Sequence, residues 1–527
     1  MQVHALHSPD IRARAKASGG PATSPGLGAF LLGRAAFGPT PEALDEFQGF
    51  GTTDQERLEA WVDRHLDPES IDDSDLDARL AEGGFETLSK SRTQLWTDHW
   101  MEDEDWEVRM RPIMEMEVVV YLRAVHSRRQ LVEVLADFWH NHFNVWGWHD
   151  DVGPVFVHYD RDVIRANLLG SFRQMLEEMT ASTAMLFYLD NVFNASDGPN
   201  ENFAREVLEL HTLGEDNYLG AIPADQVPVG DDGVPVAFVD EDLRELARCL
   251  TGWTLHPDTG EFLFYDDFHD WGSKRVLGLD IPAGQDGIKD VRDVFDLLAG
   301  HRGVALFIAE KLCRRLVSDE PPQSLVDRAA DVFQNHRESP DQLARVVRTI
   351  LVSDEFRQSW GAKSRRPLEM VVGALRATGG DLRLPFGDDF SNSFVWLNYE
   401  TGHLPFNWIP PTGFPDLMRA WLSTTPLVKS WAILNILVDW VNDDGYRPID
   451  VVGTTPPELE SSEEMVDYWT ERILGRPVDG ATRTEIVAFM AQGRLPSVPL
   501  NRQDEWVQDR MRALVGLILV SPDFLWR

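Results

Sequence analysis

Three stretches of the chain concentrate side chains that could do chemistry: DFWHNHF at 137–143, NENFAREVLELHTLG at 200–214 and FYDDFHDWGSKRVLG at 264–278. Imidazole and carboxylate bind transition metals, and both can move protons near neutral pH. In the first stretch Leu131, Leu135, Phe138 and His142 share one helical face, so His142 is expected to point inward. His140 falls about 200° away, counted at 100° per residue, beside Glu133 and Asp137 and toward a polar cleft or solvent. Two such histidines cannot hold one ion from a regular helix. To do so the helix must end or unwind at the following NVWGWHD.

The second stretch reads as a short helix stopped by Gly214. Phe203, Val207 and Leu210 mark its apolar arc, with His211 inside the arc and Glu206 on its border. Arg205 and Glu209, four residues apart, are expected to form a surface ion pair. The spacing departs from the Glu-x-x-His of di-iron bundles, because Leu208 stands where the glutamate would be. In the third stretch His269 could ligate a metal, Asp270 could orient an imidazole, and Lys274 could hold an anionic group.

Together these residues predict a metal-dependent enzyme whose centre is assembled from three segments. His142, Glu206, His211 and His269 are the candidate ligands, a set compatible with Zn, Fe, Mn or Cu. His140 or Asp270 would serve as general acid or base, and Asn202, Arg205 and Lys274 would position a small-molecule or polymeric substrate, anionic or polyhydroxylated. An open coordination position would give hydrolysis; iron or copper would permit oxidation. The alternative is a metal-free binding or assembly module in which the same residues form a structural polar network. A metal-free acid/base enzyme using His140 and Glu206 is a third reading. No H-E-x-x-H, G-x-S-x-G, P-loop or Rossmann glycine pattern occurs, so no nucleotide cofactor is expected.

The elements that must position these groups are helical. Periodicity predicts a mainly α, multi-helix globular array. Thr40 and Pro41 open an early helix, and a long one runs from about Glu107 to Phe143. Others follow near 161–180, 201–213, 240–252, 302–317, 323–336, 340–352, 364–377, 425–442, 462–475, 482–492 and 503–520. A small β-hairpin is expected near 253–266, about the PDTG turn. The expected organisation is a mobile leader at 1–24 and a main helical domain at 25–380 carrying an acidic insertion at 220–236. An aromatic-proline strap at 381–424 and a helical region at 425–527, packed on the main domain, complete it.

Composition narrows the partners. The chain has 527 residues, 87 of them acidic and 49 basic, for a formal net charge of -38. Such a surface suits hydration in high salt, the leading explanation being halophilic adaptation, and its field repels nucleic acid. Cys249 and Cys313 are expected to be buried free thiols. No window approaches the roughly 20 apolar residues of a membrane helix. The N-terminal residues lack an apolar signal core, which predicts a cytoplasmic location.

The order of motifs resembles the bacterial family called domain of unknown function 1800 (DUF1800). The resemblance is carried by LLGRAAFGPTPEAL (31–44), DFWHNHF, AMLFYLDN (184–191), NENFAREVLELHTLG, ARCLTGWTL (247–255), FHDWGSKRVLG (268–278), LFIAEKLCRRLVSDEPP (306–322) and LPFNWIPPTGFPD (404–416). It implies a helical architecture, frequent export, and a sulfatase-like companion protein. Export conflicts with the missing signal. The polar positions that match the family's motifs are His140, Asn141, His142, Asn200, Glu201, Asn202, Arg205, Glu206, Glu209, His211, His269, Asp270 and Lys274.

Overall fold

In a computed structural model, which describes residues 24–102, 104–230 and 233–527, the chain is mainly α. Helix accounts for 59% of it, against two short antiparallel strand pairs. The leader expected at 1–24 lies outside the described residues but for its last position. Helix boundaries follow side-chain caps. The Thr40 hydroxyl accepts the Ala43 amide ahead of helix Pro41–Gly49, and Asp105 accepts the amides of Glu107 and Val108 to start Trp106–His126.

The long helix expected from Glu107 to Phe143 is in fact two, Trp106–His126 and Gln130–His142. Ser127 leaves the helical region at φ -58°, ψ 137°, and its hydroxyl donates to Asp73 and accepts the Arg129 amide. The Gln130 side chain donates to the carbonyls of Ala124 and Ser127 at 3.0 and 2.8 Å. Side-chain hydrogen bonds thus replace the glycine or proline that would have announced the break. The helix expected at 161–180 splits too, into the π-helical Tyr159–Arg165 and the helix Phe172–Thr180. Glu201–Glu206 likewise runs into a π-helical turn, Val207–Thr212, closed by the Thr212 hydroxyl on the Val207 carbonyl at 2.6 Å.

The expected hairpin pairs Trp253–Leu255 with Phe262–Phe264, Trp253 standing opposite Phe264. A second hairpin, Lys274–Val276 with Leu279–Ile281, was not expected. Leu277 and Gly278 both have positive φ at its turn, the two-residue geometry that matches strand twist. A leucine there hides the turn in sequence; the Leu277 amide is held by Asp242 at 2.7 Å.

One apolar core runs continuously from Phe30 to Phe524. Helix Pro367–Thr378 is buried along its whole length and packs against Trp106–His126, Thr424–Asp439 and Ser462–Leu474. The acidic segment leaves and returns at one point, where Tyr218 bridges Phe238. Among the described residues no helix is long and apolar enough to cross a membrane.

Residues 404–416 lie as an extended strap against the end of Gln130–His142. Asn144 donates to the carbonyls of Trp408 and Pro410 at 3.0 and 2.8 Å, and the Asn141 side-chain oxygen accepts the Phe414 amide at 3.0 Å. Gly413, at φ +68°, passes so close that a β-carbon there would stand 2.0 Å from the Asn141 carbonyl oxygen. Gly413→Ala combines left-handed strain with that collision. It should cost on the order of 3 kcal/mol in urea unfolding and hasten proteolysis within the strap.

Candidate functional site

Helix Gln130–His142 ends on His142, as a site at its tip requires. Two residues earlier, His140 is buried rather than open to solvent, and its Nε2 lies 2.9 Å from Asp160 Oδ1. Asp160 also pairs with Arg123 at 2.8 Å and Arg165 at 2.9 Å, and Arg165 reaches both Glu133 oxygens at 2.9 and 2.8 Å. Burial pushes the Asp160 carboxyl up, but Arg165, the His140 hydrogen bond and Arg123 hold it well below the usual carboxylate range. Asp160 therefore orients the imidazole, the role expected of Asp270. His140 and Asn141 line a small, largely apolar cavity that also meets His403 and Phe406 of the strap side.

His142 and His211 are neighbours, with ring centroids 6.2 Å apart. The His142 Nε2–H donates to the His211 carbonyl at 3.1 Å. Among the described residues His142 Nδ1 and both His211 nitrogens are buried without a partner. Burial, with the charge of Lys311, holds His142 well below its ordinary value and His211 down to about 3, so both are neutral at physiological pH. Both rings sit among aromatics, Phe143 lying 4.4 Å from His142 and 5.2 Å from His211. Lys311 is itself pulled down to about 8 by burial and the nearby Arg314.

Of the other expected members, Arg205, His269, Asp270 and Lys274 have partners of their own. Glu206 is half-buried, its carboxyl raised to about 7 by burial and by Glu209. Arg205 pairs with Glu209 at 2.7 Å, as its spacing predicts, and covers the Tyr218 ring. Asn202 is exposed. His269 is buried between the Thr251 carbonyl at 2.7 Å and Asp290 at 3.2 Å. Lys274 donates to Asp290 at 2.6 Å and to the carbonyls of Asp270 and Gly272. Its ammonium is fully engaged and cannot also hold a substrate. Asp270 is tied to Arg248 at 2.7 Å and 3.2 Å. The third stretch thus fastens the two hairpins to helices Asp240–Cys249 and Gly287–Gly300.

Two of the four proposed metal ligands meet, and the full set does not. Among the described residues no group of three or more His, Cys, Asp or Glu side chains is placed to hold a metal ion.

The densest polar cluster at the helix tip was not anticipated. Asp137 accepts Arg366 at 2.5 Å and Arg315 at 3.1 Å. Glu369 pairs with Arg315, Arg366 and Arg527 at 2.6, 2.8 and 2.9 Å. Lys363 bridges Asp319 and Asp416, each at 3.0 Å. Burial raises the Glu369 carboxyl, but Arg366, Arg527 and Arg315 overcome it and hold it far below its usual range. The sequence signal was the charge embedded in apolar runs, LCRRL at 312–316 and SRRPLEM at 364–370.

A family model described as a protein of unknown function (DUF1800) matches residues 30–526, and the chain belongs to that family. No curated protein and no solved structure matches it.

Near this site Glu117 is buried, with Trp148 Nε1 donating to it at 2.6 Å. Burial raises its carboxyl from 4.5 to about 8 despite that bond. The unfolded chain ionises at the lower value and the folded chain at the higher one. The stability contributed by neutral Glu117 is therefore complete below pH 4.5 and lost as pH rises toward 8. Glu117→Gln should flatten the fall in the thermal midpoint between those limits, raising it at pH 8 more than at pH 5.

Proposed function

We propose that the protein is a binding module in which the histidines and carboxylates of the three motifs are a structural polar network. The observation that carries this reading is the separation of partners: His140 with Asp160, His142 with His211, His269 with Asp290 and Lys274. The His140 and His269 networks satisfy groups that would be costly to bury alone, and the His142 contact joins two helical segments 69 positions apart. The binding surface is the cleft between the tip of Gln130–His142 and the strap. The acidic exterior, at a net charge of -38, keeps such a protein hydrated in high salt.

One observation favours a second reading. The three unpartnered nitrogens of His142 and His211 are what a buried metal would use, with Zn, Fe, Mn or Cu as the candidates. The donors present are two imidazoles, fewer than the three protein ligands typical of a catalytic zinc site. Further ligands would have to come from water, substrate or a rearranged Glu206.

Elemental analysis of tag-free protein, with His211→Ala as control, separates the two readings. The module predicts a substoichiometric metal content unchanged by the substitution, and a thermal midpoint unaffected by a strong chelator. A near-stoichiometric metal lost in folded His211→Ala, with a chelator-induced drop in the midpoint, would replace the module by the metal enzyme.

A further inference from the structure

A cavity of about 30 Å³ lies between the tip of Gln130–His142 and the strap, with Val120, Ala136, Leu368 and Phe406 in its apolar wall. It has room for about one or two heavy atoms. The charged groups around it answer one another: Arg165 pairs with Glu133 and Asp160, and Asp137 with Arg315 and Arg366. The amides are engaged as well, Asn141 with the Asp137 carbonyl and the Phe414 amide, Asn144 with the carbonyls of Trp408 and Pro410. An occupant therefore meets no uncompensated charge.

What remains is a pair of imidazole nitrogens. Asp160 is ionised and can only accept, so neutral His140 carries its proton on Nε2, 2.9 Å away, and Nδ1 is left as an acceptor. No described residue donates to it, and the side chain keeps 8% of its surface. His403 is the opposite case. Burial and the charge of Arg366 hold it down to about 3, so it is neutral, and its Nδ1 accepts the Leu368 amide at 3.4 Å. Its proton therefore sits on Nε2, a donor with no acceptor among the described residues. One acceptor and one donor fit a single hydroxyl group, which donates to the first and accepts from the second. A carboxylate, an ammonium or a nitrile satisfies only one of the two, and the ions would also lie unpaired.

Phe406 closes the cavity in a strained conformation. Its φ of +66° is left-handed, and its ring stands edge-on to His140 with centroids 4.8 Å apart. Its carbonyl accepts the Gly147 amide at 2.9 Å, which holds that turn. Strain of this kind gathers at ligand clamps, where the surroundings enforce it.

We propose that the cavity takes the primary hydroxyl group of a neutral alcohol or polyol, with His140 Nδ1 accepting its hydrogen bond, His403 Nε2 donating to its oxygen, and Phe406 as the lid. The proposal rests on the binding-module reading and names what the module binds.

Line broadening of isotope-labelled methanol by the full chain tests it, with glycerol as competitor and acetonitrile, which accepts but cannot donate, as control. Methanol should bind saturably at one site, and acetonitrile at least tenfold more weakly. Tighter binding of glycerol than of methanol would identify a polyol as the source, and the reverse a simple alcohol. In His140→Gln the new amide can keep the Asp160 bond while the Nδ1 acceptor is gone, so methanol binding should fall tenfold or more; circular dichroism checks the fold. Phe406→Gly suits the left-handed backbone and opens the space of the ring. It should bind benzyl alcohol at least tenfold more tightly than toluene, which has nearly the same shape. Broadening that does not saturate, equal affinity for acetonitrile, unchanged methanol binding by folded His140→Gln, or equal binding of benzyl alcohol and toluene by Phe406→Gly would each overturn the proposal. Such a failure beside a metal analysis that favours the module would remove the ligand and leave the module standing.

Discussion

Asp137 and Glu369 are ionised carboxylates inside the protein, and much of the architecture follows from keeping them paired. An isolated buried carboxylate costs several kcal/mol, so each must meet guanidinium groups in good geometry. Arg315, Arg366 and Arg527 provide these from segments far apart in sequence, and the pairing pins helices Gln130–His142, Arg302–Leu316 and Pro367–Thr378 to one another. Asp160 does the same on the other side of the Gln130–His142 helix with Arg123, Arg165 and His140. Such networks gain little over well-packed apolar side chains in stability. What they fix here is the relative placement of elements around the helix tip.

Helices were legible wherever an apolar stripe and a cap coincided, as at Thr40 and Pro41 or along Ser462–Leu474 behind the Ser461 capping box. Breaks made by side chains were not. Ser127 and Gln130 end and restart a helix without disturbing its hydrophobic spacing, and a π-helical turn shifts the phase of Val207–Thr212 without any residue type that signals it. The inward direction of His142 and His211 was readable because it depends on one helix alone. Their lack of shared partners with His269 was not, since that depends on how three segments meet. Asp160 lies 20 residues beyond His140, and Asp290 lies 21 beyond His269, with no local pattern linking either pair.

The histidine-rich sequence is therefore a poor guide to chemistry by itself. His269 and Lys274 have all their hydrogen-bonding capacity turned inward, whereas His142 and His211 retain capacity that no described residue meets. It is that residual capacity, rather than the density of imidazoles, that separates scaffold from site.

The strap has a consequence for how the chain reaches its native state. Asn141 and Phe414 are separated by 273 positions, and Asn144 and Pro410 by 266. Closing loops of that length carries an entropic cost before any contact rewards it, so these contacts belong to the slow, late part of assembly. The helices on either side can pack first around the apolar core. The walls of the cavity are then completed only when the chain comes back across the tip of Gln130–His142. A ribosome-bound or truncated chain that stops short of the strap would hold Asp137, Glu369, Arg315 and Arg366 without that roof and without Arg527, leaving water to solvate the cluster.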